Sequence, residues 1–418
     1  MKTETKQRIE QIRRGEVPEG YKQAGQNILP NTWNRLSFEQ VAIVRSGLVS
    51  PKTEPYSSML HIGPENIEKD TGKIENVRSA SELGLISGKF YFDSSSIVYS
   101  KIRPNLNKVC VPDFEGICSA DCYSIKARDN VDKNYLFTLM LSHQFYKRAV
   151  ECSMRTGMPK INQDDLNAIC LVFPDNLEEQ QKIAAILTTQ DKVIELKEKR
   201  LAEKQRQKKY LMQQLLTGKK RLPRFSGEWK KTKLKNILYE RKTYSPKGLE
   251  YPHVTLSTEG IFPKSERYDR DHLVRDEDKE YKITHKGDIC YNPANLKFGA
   301  ICENTFGDAI FSPIYVTFEV EENICKEYIA NYLMRWDFIN AVRKYEEGTV
   351  YERMAVKPED FLKFEIFLPQ IEEQAAIAEV LSAADREIEL LQQDIEQEKQ
   401  KKKALMQLLL TGIVRVKT

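Results

Sequence analysis

The tetrapeptide Asn292 to Asn295 (NPAN) comes closest in this chain to a catalytic motif. Adenine methyltransferases hold a flipped base with an asparagine, two prolines and an aromatic ring; here the second proline and the ring are missing, so the segment is expected to be a turn after a strand. Pro174, Asp175, Glu195 and Lys197 have the order of a metal-dependent nuclease, yet Glu195 and Lys197 fall inside a helical pattern rather than on a paired strand that would hold a metal. No glycine-rich loop ending in GK[ST] is present to cradle phosphates. Cys118 and Cys122, with Cys110 nearby, lack a close histidine to complete a tetrahedral zinc set, so reduced cysteines are expected and no metal. His61, His143, His253, His272 and His285 are scattered without an acid or nucleophile pattern. The residues therefore point away from chemistry in this chain, with no catalytic residue assigned.

Binding is better supplied. Lys101, Arg103, Asn105 and Lys108, with Arg155 and Lys160 around Gly157, form one group of candidates for DNA contact; Asn295, Lys297, Arg343, Lys344, Tyr351 and Arg353 form a second. Guanidinium groups pair bidentately with guanine and amides with adenine, while lysine and tyrosine hold phosphate. Between Lys197 and Arg224, eleven Lys and Arg stand against two acids, Glu198 and Glu203. That block either faces phosphates or is a solvated helix face. Over the whole chain the net charge is only +4 with 30% charged residues, so distribution matters more than the sum.

The elements that must position these groups are announced by a repeat. Glu178 to Gly218 and Glu372 to Gly412, 194 residues apart, share 19 identities in 41 ungapped positions, concentrated in an EEQ string at one end and LLTG at the other. In the first copy, Ile183, Leu187, Gln190, Ile194, Lys197, Leu201, Lys204, Lys208, Leu211 and Leu215 recur at alternating spacings of four and three; in the second, Ile377, Leu381, Ala384, Ile388, Leu391, Ile395, Glu398, Lys402, Leu405 and Leu409 do the same. Such a seam predicts two long helices packed as a coiled coil, with polar gaps that leave the orientation open. Asn176 is placed to cap the first helix with Glu179 at its third position, and Gly218 and Gly412 stop the two helices. Forty residues at about 1.5 Å each would make a rod of roughly 60 Å.

Between the helices lie two divergent segments that correspond in outline. Ile97 to Ser100 sits opposite Ile289 to Asn292, and Asn162 to Leu166 opposite Lys357 to Phe361, each followed by an apolar run ending in proline. Two mixed α and β domains with short strands are expected, in an α+β chain. Its length of 418 residues suits two cores rather than one. Neither a signal-peptide-like run nor about 18 uninterrupted apolar residues is seen, so the cytoplasm is the expected compartment and membrane insertion is not expected.

With Val172 to Pro174, Ile366 to Pro369, the EEQ strings, the LLTG endings and the joining segment Lys219 to Trp229 (KKRLPRFSGEW), the chain resembles the specificity subunits of Type I restriction-modification systems. The resemblance implies a first target-recognition domain with an N-terminal appendage (1–175), a first spacer helix (176–220), a second recognition domain (221–370), and a second spacer helix with a tail (371–418), the helices forming an antiparallel coiled coil. It implies a non-catalytic subunit that reads a split, asymmetric site in double-stranded DNA, one half per domain. Partners would be two modification subunits, which methylate adenine at N6, and a restriction subunit that translocates and cuts. S-adenosylmethionine, ATP and magnesium would reside on those partners, with no cofactor in this chain. A segment like Met1 to Asn31 can, in the family, pack near the far end of the chain and complete a pseudo-cyclic arrangement. The contrasting expectations are a coiled-coil scaffold that binds no DNA and an enzyme in its own right.

Overall fold

The computed structural model describes residues 3–25, 27–153, 159–246, 250–264, 280–345 and 355–417. They form two compact units, Met1–Lys197 with Asp394–Thr418, and Glu198–Gln393. Two helices of 39 residues, Leu177–Leu215 and Ile371–Leu409, each contribute one part to either unit. Both stop in the same way. Gly218 and Gly412 adopt φ of +70° and +71°, the left-handed conformation that glycine enters without a Cβ penalty. The amide two residues beyond each glycine then returns to the helix, Lys220 N–H to the Gln214 carbonyl at 3.1 Å and Val414 N–H to that of Leu408 at 3.0 Å.

In the first unit, a four-stranded sheet runs in the order Val109–Cys110, Ser96–Ser100, Cys122–Ala127, Ala42–Val44. A five-stranded sheet runs Leu48–Val49, Lys89–Phe92, Gly116–Cys118, Leu60–Ile62, Arg78–Ser79, with its Gly116–Cys118 to Leu60–Ile62 pairing parallel. Strand Ser96–Ser100 is buried at all five positions because both its faces are covered. Ile97 and Tyr99 point into the larger core with Phe38, Leu136, Phe145 and Phe173, while Val98 points into a smaller one with Ile62, Phe92 and the three cysteines Cys110, Cys118 and Cys122. This is the period of two expected of a strand buried on both sides, and it explains why the segment reads as an unbroken apolar run.

The second unit repeats this plan. Its four-stranded sheet runs Ile301–Glu303, Ile289–Tyr291, Val316–Val320, Leu238–Glu240, and a three-stranded sheet runs Tyr244–Pro246, Glu280–Thr284, Ala309–Phe311. Ile289 and Tyr291 face the larger core and Cys290 the smaller one. Tyr291, Phe318 and Phe361 stack with centroids 5.0 to 5.9 Å apart. Ion pairs tie the same places in both units: Arg45 bonds Asp93, both half-buried, ahead of strand Ser96–Ser100, and Arg241 bonds the buried Asp288 at 2.8 and 3.0 Å ahead of Ile289–Tyr291. A last antiparallel pair leads into each helix: Trp33–Ser37 with Cys170–Pro174 in the first unit, Lys230–Lys233 with Glu365–Leu368 in the second.

The N-terminal segment is built into the first unit. After a helix Thr3–Arg13, a hairpin pairs Tyr21–Ala24 with Asn27–Pro30. The Tyr21 hydroxyl donates to the Gly412 carbonyl at 2.9 Å, and Leu29 and Trp33 share a core with Leu409 and Leu410. Trp33 flanks Gly412 as Trp229 flanks Gly218 in the other unit. The two ends of the chain thus close the first unit in the manner that the joining segment closes the second.

Candidate nucleic-acid interface

Helix pairing is antiparallel in each unit. Within the first, Ile183, Leu187 and Ile194 are buried on one helix and Ile395 and Leu409 on the other, with Leu405 partly so; within the second, Leu215 is buried on the first helix, and Ile377, Leu381 and Leu391 on the second, with Leu201, Leu211 and Ile388 half-buried. The polar gaps in the seam are where the helices bond each other. Gln190 donates to Glu398 at 2.6 Å, Lys197 to Asp394 at 2.8 Å and Glu398 at 2.9 Å, and Lys402 pairs with Asp191 at 2.6 Å. In the second unit, Lys204 pairs with Glu387 at 2.8 Å and Lys208 with Asp385 at 2.5 Å. Bonds from Lys197, Gln190 and Lys401 hold the Glu398 carboxyl down to about 2. Polar residues inside an apolar seam specify register and orientation, and here acids and bases match only when the helices run in opposite directions. Part of the basic block between Lys197 and Arg224 therefore serves the helix pair: Lys197, Arg200, Lys204, Lys208 and Arg221 all pair with acids of the second helix.

The EEQ strings act at the helix starts. Asn176 caps the first helix by accepting from Glu178 N–H at 2.8 Å, but Glu179 does not complete a capping box. It is 1% exposed, accepts from Trp33 Nε1 at 3.2 Å, and receives the Arg415 guanidinium at 2.5 and 2.7 Å. Glu373, 2% exposed, receives Arg221 at 2.6 Å twice. Gln180 and Gln374 bond their own domains, accepting from the backbone of Asp132 and Cys325 and donating to the carbonyls of Pro174 and Pro369. Each glutamate thus latches the first turn of one helix to an arginine three residues past the glycine that ends the other. Sequence gives Glu179 a capping role and places Arg221 in the basic block but does not pair them across the chain; the signal for the latches is the arginine at the same offset after both glycines, Arg221 and Arg415.

The candidate contact residues fall into distinct settings. In the first domain, the segment after strand Ser96–Ser100 pairs with residues 159–161: Arg103 N–H donates to the Pro159 carbonyl at 2.8 Å and Ile161 N–H to that of Lys101 at 2.9 Å. Lys101, Arg103 and Lys160 are thereby brought together, with Asn105 exposed on the same loop. Lys101 lies against the rings of Tyr123 and Phe90, 5.2 and 5.9 Å from their centroids, and burial, aided by the charge of Lys160, pulls its ammonium below its usual range. Lys108 turns inward, donating to the Pro64 carbonyl at 2.6 Å. Arg155 lies outside the described residues.

In the second domain, Asn295 is exposed and Lys297 half-buried on the loop after Ile289–Tyr291, with the Lys297 ammonium 5.2 Å from the Phe298 ring centroid. Arg343 and Lys344 are exposed on a turn after helix Trp336–Val342, which packs against that loop; the Lys344 ammonium stands 5.4 Å from the Phe364 ring. Tyr351 and Arg353 lie outside the described residues. NPAN is a turn, Asn292 Oδ1 accepting from the backbone of Ala294 and Asn295 at 3.1 and 3.3 Å. Cys110, Cys118 and Cys122 are free and buried among apolar side chains, which raises their thiols, Cys118 to about 12. No group of metal-ligating residues converges among the described residues.

Residues 65–206 and 227–400 match the family described as the Type I restriction modification DNA specificity domain, and the chain belongs to that family. It is a specificity subunit rather than a catalytic one. It is 39% identical over 178 residues to the Type I restriction enzyme EcoDI specificity subunit of Escherichia coli, a match that spans 43% of this chain and only 37% of that protein. It is 26% identical over 330 residues to the MjaVIII specificity subunit of Methanocaldococcus jannaschii, spanning 72% of this chain and 75% of that one. Among solved structures it is similar to a chain from a study of complex assembly and conformational transition of the type I R-M system, with a TM-score of 0.61 at 16% identity over 92% of this chain and 99% of that chain. It is also similar to the S subunit of the Type I restriction-modification system from M. genitalium, with a TM-score of 0.54 at 12% identity over 90% and 96%. At these identities the likeness is one of fold.

Proposed function

We propose that the chain addresses a Type I restriction-modification complex to a bipartite, asymmetric site in double-stranded DNA, one half-site per recognition domain. The observation that carries this reading is the duplication of one sheet-and-helix unit within a single chain, with the same glutamate and arginine at both latches but different side chains on the loops beside the central strands. Two unlike readers on one frame suit two unlike half-sites. The long helices set the gap, since each supplies part of both units, and centres near one helical turn of DNA, about 34 Å, would leave several unread base pairs between the halves.

Chemistry falls to partners. Two modification subunits bring S-adenosylmethionine and methylate adenine at N6, and a restriction subunit brings ATP and magnesium; this chain holds no cofactor and works in the cytoplasm. In support of the compartment, no helix among the described residues is long and apolar enough to cross a membrane. Co-expression with the cognate modification subunit in a methylation-free host, followed by genome-wide mapping of methyladenine, is the test. A split motif with a fixed gap is expected. A soluble complex that methylates nothing would refute the reading, and absence of salt-dependent DNA binding by the chain would favour a scaffold. Deleting one heptad from both helices should shorten the gap or abolish methylation; an unchanged gap would refute the ruler.

A further inference from the structure

The loop that follows the central strand has the same length and the same closing hydrogen bonds in both domains, although Arg103 N–H leaves the loop for the Pro159 carbonyl whereas Asn295 N–H bonds the Asn292 carbonyl at 3.1 Å within it. Ser100 N–H donates to the Lys108 carbonyl at 2.9 Å and Asn292 N–H to that of Ala300 at 3.0 Å, so seven residues are enclosed in each case. Both loops then make a 3-10 turn, Pro104–Leu106 and Leu296–Phe298, closed by Leu106 to Arg103 at 2.8 Å and by Phe298 to Asn295 at 2.9 Å. Both end on a left-handed residue, Asn107 at φ +45° and Gly299 at φ +90°. Asn107 is pinned there by its carboxamide, which donates to Asp70 and to the Leu141 carbonyl. Aligned without a gap, Arg103 corresponds to Asn295, Asn105 to Lys297 and Leu106 to Phe298.

Loop length, closure and the 3-10 turn are held constant, while the residue just before the turn differs in backbone as well as side chain, Arg103 at φ +48° and Asn295 at φ -107°. Arg103 stands immediately before the turn at φ +48°, a conformation that costs a non-glycine residue energy and that this loop nevertheless imposes through the bond from Arg103 N–H to the Pro159 carbonyl. Its guanidinium is exposed and makes no hydrogen bond or ion pair to any described residue; the Asn295 carboxamide is likewise exposed and unbonded. A surface arginine kept for solubility or for an internal ion pair needs no such rigid mount. A position that gripped phosphate would want a cation in both domains. Arginine in one and asparagine in the other is the exchange expected where one position faces guanine in the first half-site and adenine in the second.

We infer that Arg103 and Asn295 are homologous base-reading positions, Arg103 taking a guanine in the half-site of the first domain and Asn295 an adenine in that of the second. This rests on the recognition function proposed above. The experiment is methyladenine mapping of the full complex carrying Arg103→Ala, Arg103→Lys or Asn295→Ala. Arg103→Ala should lower discrimination at one guanine of one half-site about tenfold or more and leave the other half-site and the gap as they are. Arg103→Lys, which keeps the charge, should do nearly the same; Asn295→Ala should relax one adenine in the opposite half-site. Should Arg103→Ala fail to assemble, Arg103→Asn, which tolerates the left-handed backbone, takes its place. An unchanged motif with uniformly weaker methylation in Arg103→Ala, rescued by lysine, would make Arg103 a phosphate contact and overturn the inference alone. A wild-type complex with no split motif would overturn the proposed function itself.

Discussion

Removing an arginine from either helix latch should unmake its unit more than any surface change nearby. Glu179 is 1% exposed and holds two bonds from Arg415 and one from Trp33; Glu373 is 2% exposed and holds two bonds from Arg221. Truncating one partner of a buried pair leaves a charge in low dielectric and typically costs about 3–5 kcal/mol. Both arginines are partly in water, with side-chain exposures of 33% for Arg415 and 27% for Arg221, which weakens the attraction that is lost. Arg415→Ala should therefore cost about 2–3 kcal/mol, Glu179 retaining the Trp33 indole as a donor. Arg221→Ala should cost about 3–4 kcal/mol, because Trp229 Nε1, in the equivalent neighbourhood, is buried without a partner and gives Glu373 nothing.

Urea denaturation followed by circular dichroism and tryptophan fluorescence measures both variants. Replacing a pair together, as in Arg221→Met with Glu373→Leu, should recover most of the loss, since apolar groups of similar volume carry no unpaired charge. Arg221→Ala within about 0.5 kcal/mol of wild type, the range of an ordinary surface substitution, would refute the latch. So would a double variant no better than the worse single one.

The two stop glycines should differ. Gly412→Ala would place a Cβ 2.6 Å from Pro30 Cδ on top of the strain of φ +71°, whereas Gly218→Ala meets Trp229 only at 3.5 Å, so the first should lower the melting temperature clearly more than the second. His61 is 4% exposed with neither ring nitrogen bonded, and burial holds its imidazole below the ordinary 6.5. The unfolded chain takes up a proton as pH falls through 6.5 while the folded chain does not, so wild type should lose stability below that pH, and His61→Phe should lose less; equal pH profiles in thermal melts would show that His61 does not titrate this way. Exchanging Lys197 and Glu398 for leucine should give helices that still pair but no longer in one register, read as added higher oligomers in light scattering; a size distribution identical to wild type would show that the apolar positions alone fix the pairing.

The helices were legible because long periodic segments carry their own signal: the seam positions, the Asn176 cap and both glycine stops could be placed from spacing alone. Orientation was not, since Lys197, Lys204, Lys208 and Glu398 read as gaps until each met its partner across the seam. The Glu179 latch was hidden for a related reason. A glutamate at the third helical position fits a capping box so well that a partner 236 residues away is not sought. The domains were harder, because strands such as Gly116–Cys118 and Leu60–Ile62 pair across more than fifty residues, and nothing local in either announces the other. Within the candidate sites, the sequence could supply residue types but not directions, so Lys108, bonded inward to Pro64, stood beside Arg103, which faces out.

That contrast bears on how specificity can change in such a chain. Of the residues that differ between the units at equivalent loop positions, Arg103, Asn295 and Phe298 are exposed and Leu106 is half-buried. Those that match are the buried Glu179 and Glu373, the half-buried Arg415 and Arg221 that bond them, and the left-handed Gly412 and Gly218. A substitution in the first set alters what is presented at nearly constant stability; one in the second alters the frame on which both readers depend. Energetic independence of reader and frame lets one fold carry two unlike half-site readers, because distant, unconnected sites contribute additively. The same independence predicts that a whole recognition segment exchanged between the latch residues, rather than at the loop ends, would bring its half-site with it, since no buried partner would be left behind.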